Sequence, residues 1–505
     1  MFRKLLVANR GEIAVRIART CRDLGIPTVA VYSDADRASL HVRYADEVRR
    51  IGPAPSSESY LNMDALLEAA RDTGADSVHP GYGFLAENAQ FARRCREAGL
   101  VFVGPPPDAV ALMGDKAAAR RVAREAGVPI VPGTEALPDD REAIKEANRI
   151  GFPLLVKAVS GGGGKGMRTV ISPAELPTAL RQARSEASSS FGDGAIYLER
   201  YLERPRHIEF QILADERGAI FHLLERECSI QRRHQKLIEE CPSPRVDADL
   251  RSRMGEAAIS IARASGYRNA GTVEFLLDQG GNYYFLEMNA RLQVEHPVTE
   301  MVLGLDLVEQ QLRIAAGEPL ALSQDEIRPR GWAIEFRITA EDPYRDFLPC
   351  PGRIEFLRPA GGLGIREDSG VAAGMEVSAH YDPLISKLIV WGEDRASCLA
   401  RAERALREYR VEGITTTLSF FRRVLHDPRF RAGDIDVGYI DRIWKVLAAD
   451  SQEVSPKNER DRVALIAAAL AAYQAETKSR TRVVSSRERS AWAQRGISEQ
   501  HGSRL

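Results

Sequence analysis

The pattern of hydrophobic and polar positions at the start of the chain predicts a strand followed by a helix. Residues 4–8 form a short apolar run, and Ile13, Ile17 and Leu24 then recur at helical spacing. Further elements alternate along the next segment: strands at 28–32, 77–79 and 101–103, and helices at 63–71 and 88–97. This alternation predicts a parallel sheet with helices on both faces.

The turns of this first region carry little specific chemistry by themselves. The rhythm is Rossmann-like, but the first turn, Asn9-Arg10-Gly11-Glu12, lacks the GxGxxG spacing. Dinucleotide binding is therefore not predicted. The turn HPGYGFLAEN at 79–88 contains glycines that permit close approach of the backbone, although a tight structural turn is the simpler interpretation.

A glycine-rich loop marks the second region, which begins with a helix predicted at 114–133. Strands predicted at 152–158 and 167–171 flank this loop, and a further strand is predicted at 197–201. Backbone N–H groups in such a loop can bind anionic oxygens, and Lys157 beside it can reach a phosphate. A flexible linker is the alternative, and the Gly-Lys-Ser/Thr ending of a Walker A motif is absent.

A highly charged segment, 225–244, has no regular apolar period. It follows an antiparallel pair predicted at 207–213 and 219–224 and precedes a helix predicted at 250–265. The segment is either a solvated face or, because it lies between strands of one sheet, a basic cleft that binds anions. Its charged residues include Arg232, Arg233, His234, Lys236, Glu239 and Glu240.

Two acidic residues are predicted to face each other across a hairpin. Segments 272–277 and 283–288 are rich in β-branched and aromatic residues, and a Gly-Gly pair lies between them. If those glycines form the turn, Glu274 lies opposite Glu287. Two carboxylates in that arrangement repel each other.

A divalent cation would reverse this repulsion, and oxygen ligands suit Mg²⁺ or Mn²⁺. Asn289 is two residues beyond Glu287, on the same face of the strand, and offers a third oxygen. A surface hairpin with two solvated acids is the alternative. The loop that follows has an unusual concentration of polar groups: Arg291, Gln293, Glu295 and His296.

A third, β-rich region follows a helix predicted at 306–317 and a linker at 319–329. In the segment 332–343, apolar residues alternate with Glu335, Arg337 and Thr339, which predicts a strand with one polar face. The remaining predicted elements are strands at 353–357, 365–368 and 384–391 and a helix at 395–409. Beyond residue 449 the sequence predicts one apolar helix, at 463–473, and then a basic polar end.

Composition limits the class of protein. With 505 residues, 70 basic and 71 acidic side chains and 44% hydrophobic residues, the chain is predicted to be a globular α/β protein of about three domains, not a nucleic-acid-binding protein. Six cysteines without a CxxC pair, no run of membrane-span length and no secretory pattern at the start make the cytoplasm the expected compartment.

Eight motifs in a fixed order resemble those of biotin carboxylase, the ATP-grasp component of biotin-dependent carboxylases. They are ANRGEIAVRI, HPGYGFLAEN, LMGDK, KAVSGGGGKGMR, ERECSIQRRHQK, GTVEFLLDQGGNYYFLEMNARLQVEHPVTE, EFRITAEDP and HYDPLISKLIVWG. The resemblance implies an N-terminal α/β domain at 1–113, an ATP-grasp domain at 114–330 with a mobile lid at about 131–203, and a C-terminal domain at 331–449. Residues 450–505 are a partly helical tail.

The resemblance also implies roles for individual residues. ATP would be bound by Lys116, Lys157, Gly163, Gly164, Gly166, Met167, Glu199, Arg200, Leu202, His207, His234 and Leu276. Bicarbonate would be surrounded by Lys236, Arg291, Gln293, Val294 and Glu295. Two Mg²⁺ or Mn²⁺ ions would be held by Glu274, Glu287 and Asn289. Arg337 would face biotin, and the catalytic residues would be Lys236, Arg291, Glu295 and Arg337.

The implied reaction begins when bicarbonate attacks the γ-phosphate of ATP to give carboxyphosphate. Glu295 would take the bicarbonate proton, and Arg337 would stabilise the biotin enolate that captures CO₂ at N1′. Another ATP-grasp ligase, or a degenerate regulator or scaffold of that fold, is the alternative.

The expected partners are a biotin carboxyl carrier protein and a carboxyltransferase. None of the eight methionines is followed by lysine, the dipeptide at which biotin is attached, so biotin is expected on a separate chain. A homodimer is expected as well, because Arg19 and Arg366 match dimer-contact positions of the family.

Overall fold

The N-terminal region of the computed structural model confirms the predicted parallel sheet. The structure describes residues 1–137, 139–158, 167–191 and 194–449, and, from the tail, Val463, Ala464, Ile466, Ala467, Ala468, Leu470, Ala471 and Gln474. The first elements are β1 (Leu5–Val7), α1 (Gly11–Asp23), β2 (Thr28–Ser33), α2 (Leu40–Tyr44), β3 (Glu47–Gly52), α3 (Met63–Thr73), β4 (Ser77–His79), α4 (Ala89–Glu97), β5 (Val101–Phe102) and α5 (Pro107–Gly114). The five strands are parallel in the order β3-β2-β1-β4-β5.

The helix predicted at 114–133 is present but shorter, because it ends at Glu125. Helix α5 ends at Gly114, and α6 (Lys116–Glu125) starts afresh because the Asp115 side chain accepts hydrogen bonds from the N–H groups of Ala117 and Ala118. The edge strand β3 was not predicted, since three of its six residues are charged and only its last two are buried.

A small antiparallel sheet follows, in the order β7-β6-β8. Its elements are α7 (Asp140–Ile150), β6 (Leu154–Ala158), β7 (Met167–Val170), α8 (Leu176–Phe191) and β8 (Ile196–Arg200). Alanines of both helices pack with Leu154, Val156 and Leu198 in a separate apolar core. The predicted glycine loop, with Gly163, Gly164 and Gly166, lies outside the described residues.

One eight-stranded antiparallel sheet continues across the predicted boundary at residue 330, in the order β13-β12-β9-β10-β11-β14-β21-β19. Its first part contains β9 (Arg206–Ala214), β10 (Ile220–Arg232), β11 (Gln235–Cys241), α9 (Ala248–Ala264), β12 (Asn269–Leu277), β13 (Tyr283–Asn289), α10 (His296–Leu303) and α11 (Leu307–Ala315). Strand β14 pairs directly with β11, so side chains from both regions share one face.

The remaining elements belong to the C-terminal region. They are β14 (Trp332–Thr339), β15 (Glu341–Asp342), β16 (Leu348–Pro349), β17 (Gly352–Arg353), β18 (Phe356–Arg358), β19 (Ile365–Ser369), β20 (Glu376–Val377), β21 (Leu384–Gly392), α12 (Arg395–Glu408), β22 (Arg410–Glu412), α13 (Leu418–Val424), α14 (Pro428–Ala432) and α15 (Tyr439–Ala449). The described residues between 463 and 474 are helical and exposed. Within the described part of the chain, no helix combines the length and apolar character needed to cross a membrane.

The charged segment 225–244 is not a connector between strands. It forms the second half of β10 and all of β11, joined by a tight turn at Arg233 and His234, which both have positive φ. Its glutamates are buried and several are paired with arginine, which explains why hydropathy alone did not reveal two strands.

Candidate active site

The β12–β13 hairpin places Glu274 directly opposite Glu287, as predicted. The predicted turn is wrong, however, because Leu277 pairs with Tyr283 and residues 278–282 form the turn. A β-bulge between Glu274 and Phe275 shifts the register by one residue and so produces the predicted carboxylate pair.

A row of charged side chains continues from this hairpin across the sheet. Glu274 also pairs with Glu209 on β9, and Glu209 pairs in turn with Arg226 on β10. The fully buried Arg226 donates from Nε to Glu209 Oε1 at 2.5 Å. Strand pairing therefore sets Glu287, Glu274, Glu209 and Arg226 side by side.

Lys236 is the central cation of the site. Its Nζ donates to Glu209 Oε2 at 2.5 Å, to Glu274 Oε1 at 2.9 Å and to Glu295 Oε1 at 2.6 Å. Burial opposes its charge, but the three carboxylates outweigh burial and hold the pKa of Lys236 well above its usual range. The lysine is therefore a fixed positive charge among three acids.

Glu274 receives several further donors. His207 Nε2 lies 2.8 Å from Glu274 Oε2, and Asn289 Nδ2 and Gln293 Nε2 donate to Glu274 Oε1 at 2.9 and 3.3 Å. Burial opposes ionisation, but Lys236 and His207 hold the pKa of Glu274 far below its usual range. The same contact raises the pKa of His207 although burial opposes it.

Glu287 has no hydrogen-bond or ion-pair partner within the described ranges. Burial and the neighbouring Glu274 raise its pKa. A partly buried carboxylate opposite a second carboxylate, with the Asn289 side chain alongside, is a hard-oxygen donor set that fits Mg²⁺ or Mn²⁺. The residues present are therefore compatible with the predicted metal site.

Replacing Glu287 with glutamine is expected to raise the Mg²⁺ concentration needed for half-maximal ATP cleavage by roughly 10- to 100-fold. The metal-free fold should not be weakened, because a carboxyl group whose pKa is raised by folding destabilises the protein above that pKa. Mg²⁺ titrations of turnover, with thermal unfolding in chelator, test both statements. Normal turnover of the folded variant at low Mg²⁺ would contradict the metal assignment; Glu256→Gln, an exposed change on α9, is the control.

Glu295 joins Lys236 to Arg337. Arg337 donates from Nη2 to Glu295 Oε2 at 2.8 Å and from Nε to Glu239 Oε1 at 2.6 Å. Burial opposes ionisation of Glu295, but Lys236, Arg337 and Arg226 hold its pKa well below its usual range. The side chain is fully buried and lies just before α10.

The loop before α10 holds the other residues predicted to surround bicarbonate. Arg291 donates to Glu87 Oε2 at 2.9 Å and to Gln293 Oε1 at 2.7 Å. The carbonyl oxygen of Val294 accepts from the buried Lys387 Nζ at 2.8 Å. Both ends of the loop are thereby held by charged groups from distant parts of the chain.

The predicted nucleotide-binding residues are spread over two sheets. Lys157 and Arg120 both form ion pairs with the buried carboxylate of Glu199, and Leu276 pairs with His207 across β12 and β9. The remaining predicted residues that the structure describes are partly or fully exposed: Lys116, Met167, Arg200, Leu202 and His234. Thus Glu199 fixes the lysine rather than presenting a free carboxylate.

Five partners of the predicted residues were not identified from the sequence: Glu87, Arg120, Glu209, Arg226 and Glu239. Glu87 lies within HPGYGFLAEN, so its motif was noticed but not its role. The strand alternation of β9 places Glu209 level with Glu274, which a correct pairing of β9 with β12 would have indicated. The others depend on contacts between distant segments.

Family models match three successive parts of the chain. "Biotin carboxylase, N-terminal domain" matches residues 1–110, "Carbamoyl-phosphate synthase L chain, ATP binding domain" matches residues 115–323, and "Biotin carboxylase C-terminal domain" matches residues 335–442. Their order agrees with the order of domains predicted from the motifs.

Curated relatives are similar over most of the chain. A biotin carboxylase of Nostoc is 52% identical to this chain, and the match covers 88% of this chain and all of the Nostoc protein. Biotin carboxylase 1 of Bacillus subtilis is 50% identical, and the match covers 87% of this chain and 98% of the Bacillus protein. A crystal structure of the biotin carboxylase domain dimer of Hydrogenobacter thermophilus 2-oxoglutarate carboxylase, with MgADP, ADP and bicarbonate, has a TM-score of 0.83 at 46% identity. The match covers 88% of this chain and 99% of the Hydrogenobacter thermophilus domain.

Proposed function

The chain belongs to the biotin carboxylase family, and we propose how its own residues carry out the ATP- and bicarbonate-dependent carboxylation of biotin. The observation that carries the proposal is the buried ion-pair chain Glu274–Lys236–Glu295–Arg337. It connects the carboxylates suited to metal with the arginine assigned to biotin. The end of the site suited to metal and the end assigned to biotin are thus joined by one continuous chain of ion pairs.

Bicarbonate is proposed to bind at Lys236 and Arg291, with Gln293 and Val294 completing its surroundings. The anion then competes with Glu295 for Lys236. Since Lys236 and Arg337 are what hold the pKa of Glu295 low, arrival of bicarbonate raises its basicity at the moment a proton must be taken. Glu295 removes that proton as the bicarbonate oxygen attacks the γ-phosphate of ATP.

The nucleotide is proposed to bind between the small sheet and the large one. Lys157 and Lys116 bind phosphate oxygens, His207 and His234 contact ribose or phosphate, and the other predicted residues surround the base: Met167, Glu199, Arg200, Leu202 and Leu276. Glu199 holds Lys157 in position before the phosphates arrive. Glu274, Glu287 and Asn289 would hold Mg²⁺ or Mn²⁺, which when bound neutralises charge on the phosphates.

Arg337 is proposed to receive the ureido oxygen of biotin. The phosphate released from carboxyphosphate takes the N1′ proton, which leaves negative charge on that oxygen, and a fixed guanidinium stabilises it. Glu239 accepts a hydrogen bond from Nε of Arg337 and so fixes that side of the guanidinium. Nη2, which donates to Glu295, is therefore the donor that can release Glu295 and contact biotin instead. Stabilised in this way, the enolate captures CO₂ released from carboxyphosphate.

We propose that biotin is supplied on a carrier protein and that a carboxyltransferase takes the product. The purified 505-residue chain should cleave ATP slowly with bicarbonate alone and much faster once biotin is added, and should give no covalent biotin signal on an avidin blot. It should carboxylate free biotin with labelled bicarbonate, but no acyl-CoA until carrier and transferase are added. Acyl-CoA carboxylation by the chain alone would contradict this proposal, and ATP cleavage that biotin does not accelerate would favour another ATP-grasp ligase.

A homodimer is also proposed, by similarity to the dimeric domain from Hydrogenobacter thermophilus. Arg19 and Arg366, the residues assigned to the contact, line one cavity of about 400 Å³. Arg366 additionally donates to Glu300 and Asp368 at 2.7 Å each, so it also stabilises its own protomer.

A further inference from the structure

Two buried glutamates lie directly opposite each other behind Arg337. Glu239 on β11 pairs with Glu335 on β14, and both side chains have zero exposure. Glu239 Oε1 accepts from Arg337 Nε, but Glu239 Oε2 and both oxygens of Glu335 have no hydrogen-bond partner among the described residues. Buried carboxylate oxygens without a donor are rare, and three on two adjacent side chains require a physical explanation.

The surroundings of this acid pair are apolar. Helix α10 covers the face of β14 that carries Glu335, and Val298 and Val302 of that helix share an apolar cluster with Ala333 and Ile389. An apolar environment disfavours an ionised carboxyl group, and a second carboxylate directly opposite disfavours it further. Both effects favour the neutral acid.

The charges around the pair leave one carboxylate without a cation. Arg337 contacts Glu239 and is shared with Glu295, whereas the charge of nearby Lys387 is matched by Glu12 at 3.0 Å and Asp368 at 4.0 Å. An ionised Glu335 would be the third anion on one arginine. The titratable and charged groups on the elements packed around the pair are Lys236, Glu239, Arg337, Glu295, His296, Glu300, Lys387 and, on the opposite face, Glu240, Arg395 and Cys398.

We propose that Glu239 and Glu335 share a single proton and that this singly charged pair positions Arg337 for biotin. Glu335 carries the proton and donates it to Glu239 Oε2, which gives a partner to that oxygen and to one of the two oxygens of Glu335. Glu335 is thus a positioning residue that acts through Glu239. The inference rests on the proposed role of Arg337.

Loss of the shared proton to solvent gives the pair a second negative charge. That charge attracts the guanidinium toward β11 and β14 and away from the ureido oxygen, so biotin binding weakens as pH rises. Burial, opposed by Arg337, raises the pKa of Glu239 to about 7, and burial raises the pKa of Glu335 well above its usual range. Both directions agree with a pair that keeps one proton near neutral pH.

The test is the pH dependence of biotin turnover in Glu335→Gln, whose side chain stays neutral and keeps a hydrogen-bond donor. In the unchanged protein, KM for biotin should rise by about tenfold for each pH unit above the pKa at which the Glu239–Glu335 pair loses its shared proton. In the variant this rise should disappear. Glu240→Gln is the matched control, because Glu240 is buried on the same strand but pairs with Arg395.

Infrared difference spectra supply a second readout: a protonated-carboxyl band at neutral pH should be present in the unchanged protein and absent in Glu335→Gln. A variant that keeps the alkaline rise in KM, lacks the spectral change or fails to fold overturns the proposal, since an amide replaces a neutral acid of equal size. If the role proposed for Arg337 is wrong, Arg337→Lys will have the same KM for biotin as the unchanged protein, and this outcome is distinct from those of Glu335→Gln.

Discussion

Replacing Glu295 with glutamine is expected to lower biotin-dependent ATP cleavage by roughly 100- to 10,000-fold while nucleotide affinity stays near its original value. The amide has the size of the acid but cannot accept the bicarbonate proton. Its oxygen can still accept a hydrogen bond from Lys236 or Arg337, so the buried cations keep a partner. Rates under saturating substrates, with ATP binding measured by calorimetry, separate chemistry from binding.

The matched control is Glu225→Gln, because Glu225 is equally buried but contacts Arg251 and Ser243. This control reports the general effect of removing a buried carboxylate from the same sheet. If Glu295→Gln loses ATP affinity in calorimetry with little loss of turnover at saturation, Glu295 is structural and the base lies elsewhere.

The second large effect is expected at Arg337. Replacement with lysine should reduce biotin carboxylation by roughly 100- to 1,000-fold, because an ammonium keeps the charge but not the guanidinium fork that contacts Glu239 and Glu295 together. Slow ATP cleavage with bicarbonate but without biotin should remain, since Lys236 and Arg291, the residues assigned to bicarbonate, are unchanged. The two activities can be measured side by side with labelled bicarbonate and phosphate release.

A comparable arginine is available as a control. Arg395 is also largely buried and pairs with a β11 glutamate, Glu240, on the opposite face. Arg395→Lys should leave the ratio of biotin-dependent to biotin-independent ATP cleavage unchanged. An Arg337→Lys protein with an unaltered ratio would show that another group stabilises the enolate.

Local patterns in the sequence were sufficient for elements whose partners lie close along the chain. Short apolar strands alternating with helices predicted the parallel sheet, and two β-rich segments predicted the hairpin with Glu274 opposite Glu287. The carboxylate pairing was correct although the turn was not, because a bulge compensated for the longer turn. Bulges leave no clear signal in hydropathy, since they change register and not composition.

Partners that are distant along the chain could not be predicted in this way. Glu239 and Glu335 face each other only because β11 pairs with β14, nearly a hundred residues later. Period-two alternation tells which face a side chain occupies, but not which strand is its neighbour. For the same reason the buried cations Arg226 and Lys387 were not recognised, as each depends on carboxylates or carbonyls from several strands and loops.

The unbroken sheet from β13 to β19 makes register the common constraint on both half-reactions. Lys236, Glu239 and Arg337 occupy their places because β11 is hydrogen-bonded to β10 on one side and β14 on the other. A single residue inserted within β11 would turn the side chains beyond it to the opposite face, and the phosphate and biotin ends would be disconnected without loss of any catalytic residue. Insertions and deletions inside this strand are therefore as damaging to catalysis as point changes at the site.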